Sequence, residues 1–180
     1  MSDADLAVRA AAGNSEAFGE LVNRHAAAAR RLARTVLQNA EDADDAAQEG
    51  FLLAWRHIGR YDPGRPFAPW LMRIVINAAA DLRRKRKVRQ TEAIPASALA
   101  RGGSPEEETD RTLFRAELTE ALTRLPPRQR TAVVLFDAEG YGHAEIAEIL
   151  GVPEGTVRSD VFHARRALRQ ALTQFHEGSS

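Results

Sequence analysis

The chain has 180 residues, room for one compact domain or two small ones but not for a large catalytic core. Apolar residues at 44% and charged residues at 28% describe a folded protein, and the absence of cysteine excludes a disulfide scaffold and any thiolate-built metal site. Formal net charge is zero, yet it is segregated: Glu41 to Glu49 holds five acids and no base, Arg83 to Arg89 six bases and no acid, and Glu106 to Asp110 four acids. Such alternation points to several partners of different sign. No apolar run approaches the roughly 18 residues of a membrane span. The acidic Met1-Ser2-Asp3-Ala4-Asp5 lacks the layout of a secretory signal, so a cytoplasmic protein without membrane insertion is expected.

Punctuation divides the chain into helices, with no convincing strand. A short helix over 3–12 stops at Gly13, and Ser15 is placed to cap a second helix reaching Gln38, with Phe18, Leu21, Val22, Leu32, Val36 and Leu37 as its core. A third helix spans 41–58, acids crowding its first turns where they suit the dipole, with Phe51, Leu52, Trp55 and Ile58 as its apolar stripe. After the loop Tyr61-Asp62-Pro63-Gly64-Arg65-Pro66, a fourth helix spans 67–88, apolar through Trp70, Leu71, Ile74 and Val75, then basic. Pro95, Gly102, Gly103, Ser104, Pro105 and three consecutive glutamates make 91–109 a flexible linker, with one helical turn near Ala98. Helices follow at 110–124, 127–137, 143–150 and 154–175, with Pro127 at a start and Gly140 and Gly151 just past ends. The expected fold class is all-α: two small helical domains, 1–90 and 110–176, on a tether.

Three segments carry chemistry. In His143–Phe162, Ile146, Ala147 and Leu150 line one short helix, Gly151 makes the turn, Val152 fills the corner, and Val157 and Val161 face back from a second helix. That is a helix-turn-helix layout, which offers Thr156, Arg158, Ser159, Phe162 and His163 to a major groove; the plain alternative is a helical hairpin without a DNA role. The basic tail Arg83-Arg84-Lys85-Arg86-Lys87-Val88-Arg89 shares a helix with Trp70 and Asn77, a pairing of phosphate neutralisers with a stacking face. Basic helix ends also complement the dipole, but six charges in seven residues exceed what a cap needs. The acidic run before Phe51 is a solvated helix start or a docking face for a basic protein surface. Histidines 25, 57, 143, 163 and 176 show neither metal spacing nor a triad motif, and the glycines form no phosphate loop, so neither catalysis nor a cofactor is expected.

Several segments together resemble one family. Asp45-Ala-Ala-Gln48-Glu49-Gly-Phe51-Leu-Leu-Ala-Trp55-Arg and Pro66-Phe67-Ala-Pro-Trp70-Leu-Met-Arg-Ile74-Val-Ile-Asn77 are similar to region 2 of bacterial sigma factors. Leu125-Pro126-Pro127-Arg128-Gln129-Arg130 and the helix-turn-helix through Ala164-Arg165-Arg166-Ala167-Leu168 resemble region 4. With only these regions and a short linker, the chain resembles the extracytoplasmic-function (ECF) group of the sigma-70 family. The resemblance implies that Asp45, Gln48, Glu49, Phe51 and Leu52 bind the β′ coiled-coil of core RNA polymerase and that the β flap is a further contact. It implies that Phe67, Trp70, Asn77, Arg83, Arg84 and Arg86 engage the −10 element, Asn77 holding a flipped base. It implies that Thr156, Arg158, Ser159, Phe162, His163 and Arg165 engage the −35 element, where arginine reads guanine and phenylalanine touches a thymine methyl. An anti-sigma factor is the expected regulator. Asp160 stands where the family often carries a base, and His163 where an arginine is frequent. Read as facing DNA, that acid puts −35 specificity in question and favours the rival of a sigma-like decoy that binds a regulator alone. A stand-alone helix-turn-helix repressor is the other rival, and it leaves the first domain unexplained.

Overall fold

A computed structural model of the chain describes residues 1–92 and 109–178. Apart from its ends, the expected linker, with the turn near Ala98, lies outside the described residues. Within them the chain is helical, in the order α1 (Asp3–Ala11), α2 (Ser15–Leu37), α3 (Ala40–His57), a 3-10 turn (Ile58–Arg60), α4 (Phe67–Glu92), α5 (Thr109–Arg124), α6 (Pro127–Val133), a π turn (Val134–Ala138), α7 (His143–Leu150) and α8 (Glu154–Gly178). Side chains cap the first three starts. Ser2 and Asp5 form a reciprocal capping box on α1, and the Asn39 side chain accepts from the Asp42 N–H at 3.0 Å on α3. The α2 cap is Asn14, accepting from the Ala17 N–H at 2.9 Å, and not Ser15 as expected. Gly13 at φ +94° turns the chain so that Asn14 is the extended residue and Ser15 is already helical.

Helices α1 to α4 form a bundle around Leu21, Leu32, Leu71 and Met72, all of them fully buried. Each contributes about 1.5–3 kcal/mol by leaving water. The buried face of α3 differs from the one its large apolar residues predict. Of the expected stripe only Ile58 is buried; Leu52 is 53% exposed, Trp55 36%, and Phe51 half-buried. Instead Ala43, Ala46, Ala47, Gly50 and Ala54, at i, i+3, i+4, i+7 and i+11, turn inward. Small residues let α3 close on α2 and α4. A Cβ on Gly50 would lie 2.8 Å from Val75 Cγ2 and 3.1 Å from the Val75 Cα of α4.

In the second half α8 packs on α5, α6 and α7. Its inner face is Val157, Val161 and Ala164, with Leu168 and Leu172 half-buried. The helix expected over 127–137 is shorter: α6 ends at Val133, and the π turn closes with the Glu139 N–H donating to the Val134 carbonyl at 3.1 Å. The halves are packed together. α7 lies on α4 and α6 on α2, so that Leu135, Ile146, Ile149 and Val157 belong to the same buried cluster as Leu71 and Val75. Leu125, Val133 and Ala164 form a smaller cluster of their own.

Candidate nucleic-acid and protein interfaces

The outward side of α3 follows from its inward one. With the alanines buried, Glu41, Asp45, Gln48, Leu52 and Trp55 form a solvent-facing stripe that runs from acidic to apolar, with Glu49 exposed beside it. Trp55 is steadied by the Phe18 ring of α2, centroids 4.9 Å apart at 58°. Among the described residues no ion pair engages Asp45 or Glu49, and Asp44 meets Arg30 at 3.5 Å. Leu52 therefore holds little of the bundle together, and this leucine with the exposed part of Trp55, beside carboxylates without ion-pair partners among the described residues, is suited to bury against a partner. The signal that could have revealed this is the unbroken series of small residues at helical spacing on the opposite side.

The outward stripe of α4 carries Trp70, Arg73, Asn77, Asp81 and Arg84 at three- and four-residue steps, above an inner face of Leu71, Met72, Val75, Ile76 and Ala79. Tyr61, Phe67 and Trp70 form an aromatic cluster with centroids 5.3–5.6 Å apart. Phe67 is buried at its centre and also meets the His25 ring at 5.5 Å. Phe67, expected at the −10 element, is buried and supports the half-buried Trp70 from beneath. The basic tail is less free than its sequence implies. Arg84 pairs with Asp81, and Arg86 with the buried Asp42 of α3, so Arg86 ties two helices together. Arg83 is exposed, and Asn77 is open to solvent.

In the helix-turn-helix, α7 ends at Gly151 in the left-handed region, φ +66°, and α8 resumes after Pro153. Ile146 is buried as expected, Ala147, Leu150 and Val152 are half-buried, and Ile149, which the sequence reading passed over, is also in the core. Arg158, Ser159, Phe162 and His163 face outward and Thr156 is half-buried; Phe162 is 62% exposed, with the His163 ring edge-on at 5.5 Å. Arg158 is held by Glu154 at 2.6 Å. Arg165 pairs with Asp137 while its guanidinium carbon lies 5.0 Å from the centre of the Phe136 ring, which stacks on His143 at 4.5 Å. The π turn brings Phe136 and Asp137 to α8. Phe136 and His143 line a groove of about 500 Å³ with Arg158, Phe162, Arg165, Arg166 and Arg169.

Asp160 does not face outward. It is buried, and its carboxylate accepts from Arg128 Nε at 2.6 Å and from Nη2 at 3.3 Å, which raises the arginine above its ordinary pKa. The acid is turned toward α6 because position 160 sits among the inward residues Val157, Val161 and Ala164. Where the halves meet, Arg31 reaches Glu139 at 2.7 Å and Arg65 reaches Glu148 at 3.3 Å. Arg60, Tyr61, Arg65, Trp70, Arg73 and Glu148 enclose a cavity of about 330 Å³ there.

Two family models match the chain. Sigma-70 region 2 matches residues 21–89, and sigma-70 region 4 matches residues 115–168. The ECF RNA polymerase sigma factor SigM of Mycobacterium tuberculosis is 38% identical over 177 residues, covering 98% of this chain and 88% of its own. The chain is a member of the ECF sigma factors. Among solved structures, that of CnrH in complex with the cytosolic domain of CnrY is 32% identical with a TM-score of 0.72, covering 96% of this chain and 97% of that one. The sigma factor RpoE of Bartonella quintana, in complex with the anti-sigma factor NepR, is 25% identical with a TM-score of 0.72, covering 87% and 96%. Region 2 thus comprises most of α2 through α4, and region 4 runs from within α5 to within α8. No helix among the described residues is long and apolar enough to cross a membrane.

Proposed function

We propose that this ECF sigma factor binds core RNA polymerase, carries it to a small set of promoters and helps open them, working in the cytoplasm without catalytic activity of its own. Residues 1–90 form the polymerase-binding and −10 unit, 110–176 the −35 unit, and 91–109 the tether that raises the effective concentration of each for the other. Asp45, Gln48, Glu49, Phe51 and Leu52, joined by Trp55, meet the β′ coiled-coil, and region 4 also meets the β flap. Trp70 and Asn77 handle the unpaired −10 strand, and Arg83 and Arg84 follow its phosphates. Arg158, Ser159, Phe162 and His163 read the −35 element, with Thr156 and Arg165 at its edges. The observation that carries the reading is the order of the two matched regions, each with its polar recognition residues turned outward.

Control by an anti-sigma factor is proposed from the relatives solved with CnrY and NepR. The decoy reading loses its support, because the acid on which it rested is paired inside the protein. The test is transcription of a genomic fragment library by purified core polymerase with and without the chain. New start sites sharing upstream and downstream elements are expected. Core binding without any new start would favour the decoy, and failure to bind core would end the sigma reading. Asn77→Ala is expected to impair promoter opening more than core binding; equal losses would refute that division of labour.

A further inference from the structure

Arg128 has no assigned role, and it lies outside the helix-turn-helix. We propose that Arg128 of α6 contacts the promoter backbone beside the −35 element, held against the recognition helix by Asp160. The inference rests on the sigma reading of region 4.

Asp160 grips Arg128 side-on through Nε and Nη2, and Asp137 grips Arg165 through the same two nitrogens. In each case Nη1 is left without a carboxylate among the described residues. A planar guanidinium fixed along one edge keeps donors aimed along the other, with less entropy to lose on meeting a phosphate. The exposures are lopsided in the useful sense: the Asp160 side chain is 6% exposed and that of Arg128 55%. An approaching polyanion meets the cation and not the acid.

Asp160 and Arg165, the α8 members of the two pairs, are five positions apart, which places them about 140° apart around the helix axis. The buried stripe of Val157, Val161 and Ala164 fills that arc, and the remaining outward arc of about 220° holds Arg158, Ser159, Phe162 and His163. A helix about 10–12 Å across fills a major groove about 12 Å wide, leaving one phosphate strand along each flank. Arg165 stands on one flank and Arg128 on the other. Asp160 thus recruits to its flank a cation from another helix, in place of the base that the family often carries at that position.

A purely structural pair would clamp α6 to α8 and leave the salt dependence of DNA binding untouched. The experiment uses holoenzyme of the full chain with core polymerase on a promoter fragment recovered from the transcription library, with affinity measured from 50 to 200 mM KCl. Arg128→Gln is expected to reduce the log–log slope by about 0.9, so that its affinity falls about 3.5-fold less than the wild type's across that range. Arg128→Lys keeps the slope while weakening binding. The double change Arg128→Gln/Asp160→Asn removes both charges together, so no carboxylate is stranded, and should show the same slope loss. A wild-type slope in the double variant overturns the proposal. A wild-type holoenzyme that forms no promoter-dependent complex would instead sink the sigma reading, and the proposal with it.

Discussion

Regions 2 and 4 each turn a set of large or polar side chains outward from one helix, and they anchor that helix by opposite means. α3 is anchored by what it lacks: four alanines and a glycine bring its backbone against its neighbours, freeing its large side chains for the outside. α8 uses an ordinary inner stripe of Val157, Val161 and Ala164, then adds an arginine–carboxylate grip on each flank. Close backbone packing fixes a whole face, which suits the broad protein contact proposed for it. Charge pairs on the flanks fix the recognition helix against its neighbours, which suits the few side chains proposed to meet DNA.

The contrast breaks most sharply at Gly50. Gly50→Val forces branched carbon into space already held by Val75 and should cost about 3 kcal/mol, the upper end of typical overpacking. Gly19 in α2 is the control, with nothing within 4 Å of its Cβ position. Gly19→Ala should stabilise by about 0.4–1 kcal/mol through helix propensity and a less flexible unfolded chain. Denaturant melts of the two variants check both signs. If Gly50→Val melts like the wild type, α3 does not depend on close approach.

Leu52 sharpens the other half of the contrast. Leu52→Asp should change stability by no more than about 0.5 kcal/mol, since the side chain is largely exposed. It should weaken core polymerase binding at least tenfold, roughly 1.4 kcal/mol, as expected for an interface anchor. Loss of fold in place of loss of binding would return Leu52 to the core, where its sequence pattern put it.

That pattern shows what was legible. The helix-turn-helix could be read almost to the residue because its signals are local: a glycine past a helix end, a proline before the next start, apolar residues at helical spacing. α7 accordingly spans His143–Leu150 as expected. The α3 face was lost because large apolar residues dominate a periodicity reading, while alanines score weakly whichever way they point. The pairing of Asp160 is invisible in sequence because its partner is 32 residues away, and that of Arg86 because Asp42 belongs to another helix. Whether a charge meets water, DNA or an internal partner is a property of packing.

The smallest effects are expected where the two regions meet. Arg31 is 59% exposed but the Glu139 side chain only 10%, so the double change Arg31→Gln/Glu139→Gln, which strands no carboxylate, should cost no more than about 1 kcal/mol. Arg130 is the more telling site. It is buried, its Nε and Nη1 lack partners among the described residues, and burial first and Arg83 second push it below its ordinary pKa. A desolvated, unpaired cation opposes the packing around it, whereas its alkyl stem favours that packing. Arg130→Met keeps the stem and drops the charge, so its net effect on stability should be near zero or slightly favourable. A loss above about 3 kcal/mol in a denaturant melt, the range for breaking a buried pair, would mean that this guanidinium has a partner in solution. In that case region 4, like α8 within it, would be held by charge where region 2 is held by close approach.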